Sequence, residues 1–191
     1  YLDGKITILN HNDWFIYFDG NPIGQDGNGG HNHDSSGSIE LDYKNSPIFV
    51  DPGTGCYTSK PEIRNNFRSK LAHNAPTIER LTPEPPSELF AANDQYTYVE
   101  KIGKKDEIHY HIKSPTYQFT RSVFLDNKLT LEDSLKNPKG QTFSSLFTLH
   151  PSVKIVKLGN NIILNENLLI SSNGNIVIEN AKYSPAYNDI I

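Results

Sequence analysis

Short apolar segments separated by turn-forming residues recur along this chain, and their spacing limits the possible folds more than any other feature. Segments typical of strands, rich in β-branched and aromatic residues, lie at 5–9, 13–18, 38–43, 47–50, 95–102, 107–113, 117–125, 128–132, 142–149 and 153–158, with apolar triplets at 162–164, 168–170 and 176–178. Turn residues separate the later segments at intervals of about 8 to 12 residues, as in sandwiches and barrels. We therefore predict a single all-β domain over residues 1–191, an antiparallel two-sheet β-sandwich.

Three segments depart from this pattern. Residues 61–71 predict one short helix, in which Arg64 and Arg68 lie four apart and hence on one side. That side could face a cleft, or it could carry ordinary solvated charges. The glycine-rich stretch 20–30 predicts a shaped loop that lets a ligand approach, and the proline-rich stretch 82–88 predicts a long loop.

Composition excludes some partners. The net charge is −4 and no basic stripe is present, so we expect no nucleic-acid binding. No apolar run approaches the roughly 20 residues of a membrane span. The single cysteine, Cys56, cannot form an internal disulfide, so cysteine usage does not indicate in which cellular compartment the protein works.

Because the chain contains no methionine, even at position 1, we expect it to be a domain excised from a longer protein.

Histidines and a carboxylate cluster in sequence between residues 24 and 74. If His31-Asn32-His33 is extended, its two imidazoles project from one face. The apolar run 47–50 stops at Asp51, which a strand would deliver to a sheet edge, and His73 follows later. Imidazoles with a carboxylate match what a divalent transition metal prefers. The alternatives are that the histidines lie in a polar loop and that Asp51 only forms a turn.

Other residues allow simpler interpretations. His109 and His111 have the same His-x-His spacing, but alternation with Ile108 and Ile112 predicts an ordinary amphipathic strand. Tyr57 could be sheet core or the wall of a cleft. Nothing marks Cys56 as a thiolate, so we expect an inert side chain.

The motifs in this region, taken in order, resemble the heparinase II/III-like family of polysaccharide lyases. They are Gly-His-x-His ending at His33, Val-Asp-Pro-Gly-Thr around Asp51, Arg-x-x-Phe-Arg-Ser from Arg64, and Ala-His-Asn around His73. The clear resemblance covers roughly residues 1–80, with weaker echoes at 121–124 and 149–151. In that family a helical α/α toroid precedes the β-sandwich. The resemblance therefore implies a supersandwich-like fold and a missing N-terminal toroid.

The resemblance also implies chemistry and site residues. The parent would cleave an acidic, uronate-containing polysaccharide by β-elimination, in the periplasm or outside a bacterial cell. The residues implied are His31 and Tyr57 as catalytic candidates, Arg64, Arg68 and Asn74 as substrate-binding residues, and His33, Asp51 and His73 as metal ligands. The implied metal is zinc, with calcium or manganese as alternatives. Because the family's tyrosine base belongs to the toroid, residues 1–191 alone should be inactive.

Two readings from other classes stay open. The chain could be a non-catalytic carbohydrate-binding module, or an accessory domain of surface-polysaccharide assembly, since fold does not fix function. Tyrosines and Trp14 suit sugar stacking as well as a β core. A cupin-like metalloenzyme ranks last, because Glu40 follows His33 by seven residues, whereas a cupin carboxylate follows by only a few.

Overall fold

The protein is described by a computed structural model in which residues 6–22, 31–78, 91, 98–104, 106–113, 117–136 and 140–191 are placed. Two predicted loops lie wholly or largely outside these described residues, namely the proline-rich stretch 82–88 and most of the glycine-rich stretch 20–30. The beginning of the predicted strand 95–102 also lies outside them. The remaining predictions can be compared with the structure directly.

Strands form four antiparallel sheets within the described ranges. The first contains β1 (Ile6–His11), β2 (Trp14–Asp19), β3 (Ser38–Tyr43) and β4 (Ser46–Phe49) in sequence order. A two-stranded sheet pairs β5 (Pro76–Ile78) with β10 (Phe143–Ser145). The third contains β6 (Tyr98–Lys104), β7 (Glu107–Lys113), β8 (Gln118–Leu125) and β9 (Leu129–Lys136). The last contains β11 (Ile155–Leu158), β12 (Asn161–Leu164) and β13 (Leu168–Ser171).

The core lies between the two four-stranded sheets. Each sheet turns alternate apolar side chains inward, which the period of two requires. Phe18 of β2 and Tyr110 of β7 meet edge to face, with ring centroids 5.4 Å apart. Ile162 and Leu164 of β12 join the same buried cluster. The mostly β, sandwich-like arrangement confirms the predicted fold class.

Short hairpin turns set the register of the strands. Lys44 and Asn45 connect β3 to β4 with φ values of 53° and 59°. The connection of β12 to β13 has three residues, 165–167, and φ values of 48° and 65° at Asn165 and Glu166. Short hairpin turns of this kind need residues in the left-handed region. Asparagine tolerates that region better than most residues. The predicted hairpin near the start of the chain is also present, as β1 paired with β2.

The one α-helix in the described residues, α1 (Pro61–Arg68), begins with proline at its first turn and is followed by a 3-10 turn at Lys70–Ala72. This agrees with the helix predicted at 61–71. Two strand predictions were wrong in extent. Only Phe143–Ser145 is a strand within 142–149, and residues 176–178 form none. No helix in the described part of the chain is long and apolar enough to cross a membrane.

Candidate functional site

A cavity of about 390 Å³ opens where the end of β4 meets the outward face of β2 and β3. His31, His33 and His73 all contribute to its wall, together with Asp51. The remaining wall residues are Tyr17, Asp19, Asn21, Pro22, Asn32, Ser35, Ser38, Glu40 and Thr54. The structure thus brings together the three histidines and the aspartate that the sequence singled out.

Asp51 and His73 form a tight pair at the base of this cavity. Nδ1 of His73 lies 2.6 Å from Oδ2 of Asp51, and Oδ1 of Asp51 accepts a hydrogen bond from the Gly53 backbone N–H at 2.9 Å. Burial acts to raise the pKa of Asp51, but the hydrogen bond and charge of His73 and the Gly53 N–H together hold this pKa below its ordinary value. His73 itself is 1% exposed. The carboxylate therefore fixes the orientation of a buried imidazole.

His33 lies beside this pair, with its ring centroid 5.2 Å from that of His73. Burial, together with the charges of His73, Arg64 and Arg68, outweighs the opposing effect of Asp51 and lowers the pKa of His33 to about 4. His33 is therefore neutral near pH 7. It can accept or donate a hydrogen bond in the cavity but carries no fixed positive charge.

The floor of the cavity is the polar outer face of β2 and β3, which sequence reasoning missed. Tyr17 pairs with Glu40, and Asp19 with Ser38, so alternate residues of both strands share this face. Burial, reinforced by the nearby Asp51, raises the pKa of Glu40. Asp19 accepts hydrogen bonds from Asn21 and Ser35. The regular alternation of polar residues along 38–43 was the sequence signal that could have found this floor.

His31 and Tyr57 lie at one side of the cavity. The ring of Tyr57 meets that of His31 edge to face at 5.7 Å, and the Arg64 guanidinium carbon lies 5.0 Å from the centre of the Tyr57 ring. Tyr57 is 39% exposed. Tyr57 is therefore not part of the sheet core, and it lies next to His31 without lining the cavity itself.

Three predicted substrate-binding residues are placed away from the cavity wall. Arg64 and Arg68 are buried, so they are not solvated helix charges either, and Arg68 donates to Asn65 and to the Ala91 carbonyl. Asn74 is fully buried, and its amide bonds only backbone groups of neighbouring segments. A direct contact of these side chains with substrate has no support in this geometry. Arg64 and Arg68 are nevertheless near enough to lower the pKa of His33, so their charge reaches the site.

The predicted metal ligands do not form a three-ligand set as placed. Both oxygens of Asp51 are engaged by His73 and Gly53. In the part of the chain that the structure describes, no group of three or more His, Cys, Asp or Glu side chains is arranged to hold a metal ion. Nε2 of His73 is buried and has no hydrogen-bond partner among the described residues, which leaves one imidazole nitrogen available in the site. A zinc, calcium or manganese ion therefore stays a prediction.

Other predictions concern residues outside the cavity. His109 and His111 lie on β7 between buried isoleucines and contact Ser122 and Thr120 of the next strand, so the amphipathic-strand prediction is confirmed. Cys56 is buried and unpaired to any other cysteine, with Sγ 3.4 Å from the Lys60 carbonyl oxygen.

Arg121 supports the site from within the core. Its guanidinium pairs with Asp133 through two bonds of 2.8 and 2.7 Å, and it donates to the backbone carbonyls of Gly37 and Asn74. Those carbonyls belong to the segments that carry Ser38 and His73 into the cavity. This pairing offsets the cost of burying the charge of Arg121.

Comparison with solved structures places this fold among the heparinases. A heparinase III, the BT4657 gene product with methylated lysines, has a TM-score of 0.75 at 16% identity, covering 100% of this chain and 31% of that chain. The heparan sulfate lyase HepC from Pedobacter heparinus has a TM-score of 0.68 at 19% identity, covering 93% and 29%. Another heparinase III gives 0.59 at 18% identity, covering 82% and 25%. The chain thus spans less than a third of the length of these proteins.

At such identities these similarities establish the fold, a β-sandwich of the type found within heparinases. The sequence profile described as heparinase II/III-like, C-terminal, matches residues 1–190. The chain belongs to the heparinase II/III-like C-terminal family, which confirms the resemblance seen in the motifs. No curated protein gives a significant match.

Proposed function

We propose that this chain is the sandwich domain of a polysaccharide lyase that cleaves a uronate-containing glycan by β-elimination. The observation that carries the proposal is the convergence of His31, His33, His73 and Asp51 in one open cavity of a domain of this family. Solved structures with the same fold include a heparan sulfate lyase and heparinases III, and the substrate class is carried over from them.

In β-elimination the bond from hydrogen to the carbon next to the uronate carboxylate breaks, and a base takes the proton. A carbon–carbon double bond forms as the neighbouring glycosidic oxygen departs and takes up a proton. The substrate carboxylate must be neutralised by donors for this carbon to become acidic. We assign to His31, the exposed imidazole at the mouth of the cavity, the task of donating a hydrogen bond or proton to the substrate.

The electrostatics of the cavity are compatible with an anionic ligand. Three carboxylates line it, and unpaired they would repel a uronate. Asp51 is paired with His73, Asp19 is held by Asn21 and Ser35, and burial raises the pKa of Glu40. The buried guanidinium groups of Arg64 and Arg68 in α1 add positive electrostatic potential to the cavity. We propose that this potential attracts the substrate carboxylates without direct contact.

Tyr57 is assigned a second role beside His31. Its position beside His31, with 5.7 Å between ring centroids, suits contact with the sugar, and the base itself is proposed to come from a toroid domain of the parent chain. Residues 1–191 by themselves should then be inactive. We further propose that the parent acts in the periplasm or outside the cell.

The test is the rise in ultraviolet absorbance that an unsaturated uronate product causes, measured on the full-length protein with heparan, chondroitin and alginate. His31→Ala should lower kcat/KM by about 100-fold or more, the usual contribution of a positioned proton donor. His109→Ala is the matched control, a histidine on the far sheet whose loss should leave the rate unchanged. Activity unaltered by His31→Ala, or full activity in residues 1–191 alone, would overturn the assignment. Binding of glycan without any unsaturated product would favour a non-catalytic carbohydrate-binding domain.

A further inference from the structure

The end of the chain folds back onto the turn that carries Asp51. The Ser184 N–H donates to the Pro52 carbonyl at 2.8 Å, and the Asn188 N–H donates to the Gly55 carbonyl at 2.7 Å. Gly53 has a φ of 85°, and a side chain there would collide with the Ser184 carbonyl oxygen. The segment 183–191 is therefore fixed against the rim of the cavity by backbone bonds and close packing.

This packing places Tyr187 beside Tyr57. Their ring centroids are 5.7 Å apart with an interplanar angle of 32°, a tilted arrangement within the range of distances at which aromatic rings attract each other. Tyr57 is in turn 5.7 Å from His31, which lines the cavity. His31, Tyr57 and Tyr187 thus form a row of three rings, the aromatic row, that leads from the cavity to the surface.

The outer end of the aromatic row is open. Tyr187 is 55% exposed and Tyr57 is 39% exposed, while the Arg64 guanidinium packs on the Tyr57 ring and holds it in place. Rings held in fixed positions offer apolar area to a ligand at small entropic cost. A sugar ring presents a face of C–H groups that packs on an aromatic ring, while its hydroxyl groups stay in water. Continuity with the cavity indicates that the ligand is the next unit of the same glycan.

We propose that Tyr187, stacked on Tyr57, forms a subsite that binds a sugar unit of the glycan adjacent to the unit held in the cavity. The proposal rests on the proposed function for the identity of the ligand, an acidic glycan chain. It adds a positioning residue from the C-terminal segment, for which the sequence pattern gave no signal.

The test compares glycan affinity across a size series of heparan, chondroitin and alginate oligosaccharides. Affinity is measured by calorimetry on the full-length protein carrying His31→Ala, so that turnover does not consume the ligand. Adding Tyr187→Ala should weaken binding of the longer oligosaccharides by about tenfold, the order expected for losing one stacked ring. The shortest ones, which fill only the cavity, should be unaffected. Tyr187→Phe should retain affinity within about twofold, because the ring is kept.

Leu169→Ala is the matched control, since Leu169 is an equally exposed apolar side chain on the separate sheet of β11 to β13. Tyr187→Leu preserves packing without an aromatic face and should still lose affinity, which separates stacking from a disturbed fold. Equal affinity of Tyr187→Ala and its parent at every length, an equal loss in Leu169→Ala, or no glycan binding at all would overturn the subsite. Binding that depends on Tyr187 in a protein that yields no unsaturated product would refute the lyase proposal and leave the subsite standing.

Discussion

Nδ1 of His73 and Oδ2 of Asp51 are 2.6 Å apart, and this bond determines what the rest of the cavity can do. It occupies one nitrogen of a buried ring and leaves Nε2 without a hydrogen-bond partner among the described residues. Carboxylates that hold a histidine in this way set its tautomer and its orientation. Asp51 therefore holds the His73 ring in place and also lines the cavity itself.

The stability of the domain should fall in mildly acidic solution because of His33. Its pKa is about 4 in the folded state against an ordinary value of 6.5, because burial and the charges of His73, Arg64 and Arg68 outweigh the opposing effect of Asp51. Between these two values the unfolded chain binds a proton that the folded chain does not. The free energy of unfolding therefore decreases as pH falls from about 6.5 to about 4, by about 3 kcal/mol, and this contribution is constant below that range.

Urea unfolding at pH 7.5 and pH 4.5, in the presence of a chelator, measures this effect. His33→Gln cannot take up a proton, so its loss of stability between the two pH values should be smaller than that of the unaltered chain. His109→Gln serves as the control and should retain the full loss. Identical pH dependence in His33→Gln and the unaltered chain would show that His33 is not shielded as the structure indicates.

The alternation of apolar and polar residues was sufficient to predict a strand where the neighbouring strands show the same alternation. The segment predicted at 107–113 is β7 with the same bounds, because Ile108 and Ile112 alternate with polar residues and neighbouring strands lie on both sides. The triplet at 176–178 has equally strong β propensity, but Val177 is 71% exposed and no strand among the described residues pairs with the triplet. The segment is held instead by the side chains of Lys157 and Asn160. Propensity alone does not supply a partner.

The site shows the same division. The order of motifs predicted that the histidines and Asp51 belong to one site. The His-x-His spacing of His31 and His33 and the end of a strand at Asp51 were the local signals. Spacing also put Arg64 and Arg68 on one side of α1, but it could not show that this side is buried. The approach of Tyr187 to Tyr57 depends on how the C-terminal segment packs after the sheets have formed. Contacts between residues so distant in sequence cannot be predicted from the periodicity of the sequence.

Replacing Asn74 should affect stability more than ligand binding. Its side chain donates to the Ile39 and Val50 carbonyls at 2.8 and 3.0 Å and accepts from the Thr148 N–H at 2.5 Å. Asn74→Ala would leave these buried backbone groups without partners, and we expect it to lower the free energy of unfolding by about 2 to 4 kcal/mol. Denaturant unfolding of the chain measures the change.

Asn160 provides a matched control, because its amide also bonds two backbone carbonyls, those of Ser172 and Gly174, and accepts from the Ile176 N–H. Asn160 is exposed, so water can replace its bonds and Asn160→Ala should cost less than about 1 kcal/mol. If Asn74→Ala were no more costly than Asn160→Ala yet weakened glycan binding, the substrate-binding role predicted from the sequence would be restored.

The predicted metal site can be tested on the same residues that argue for and against it. His33 is neutral near pH 7 and Nε2 of His73 is unpartnered, which suits a metal, whereas both Asp51 oxygens already accept hydrogen bonds. If the site forms, zinc binds the folded chain only and raises its melting temperature by mass action. His73→Ala should remove most of that rise, and His109→Ala should not.

Elemental analysis after mild purification measures the bound metal independently. A metal-free protein whose melting temperature does not respond to zinc, calcium or manganese would mean that the Asp51–His73 pair serves hydrogen bonding alone in this chain.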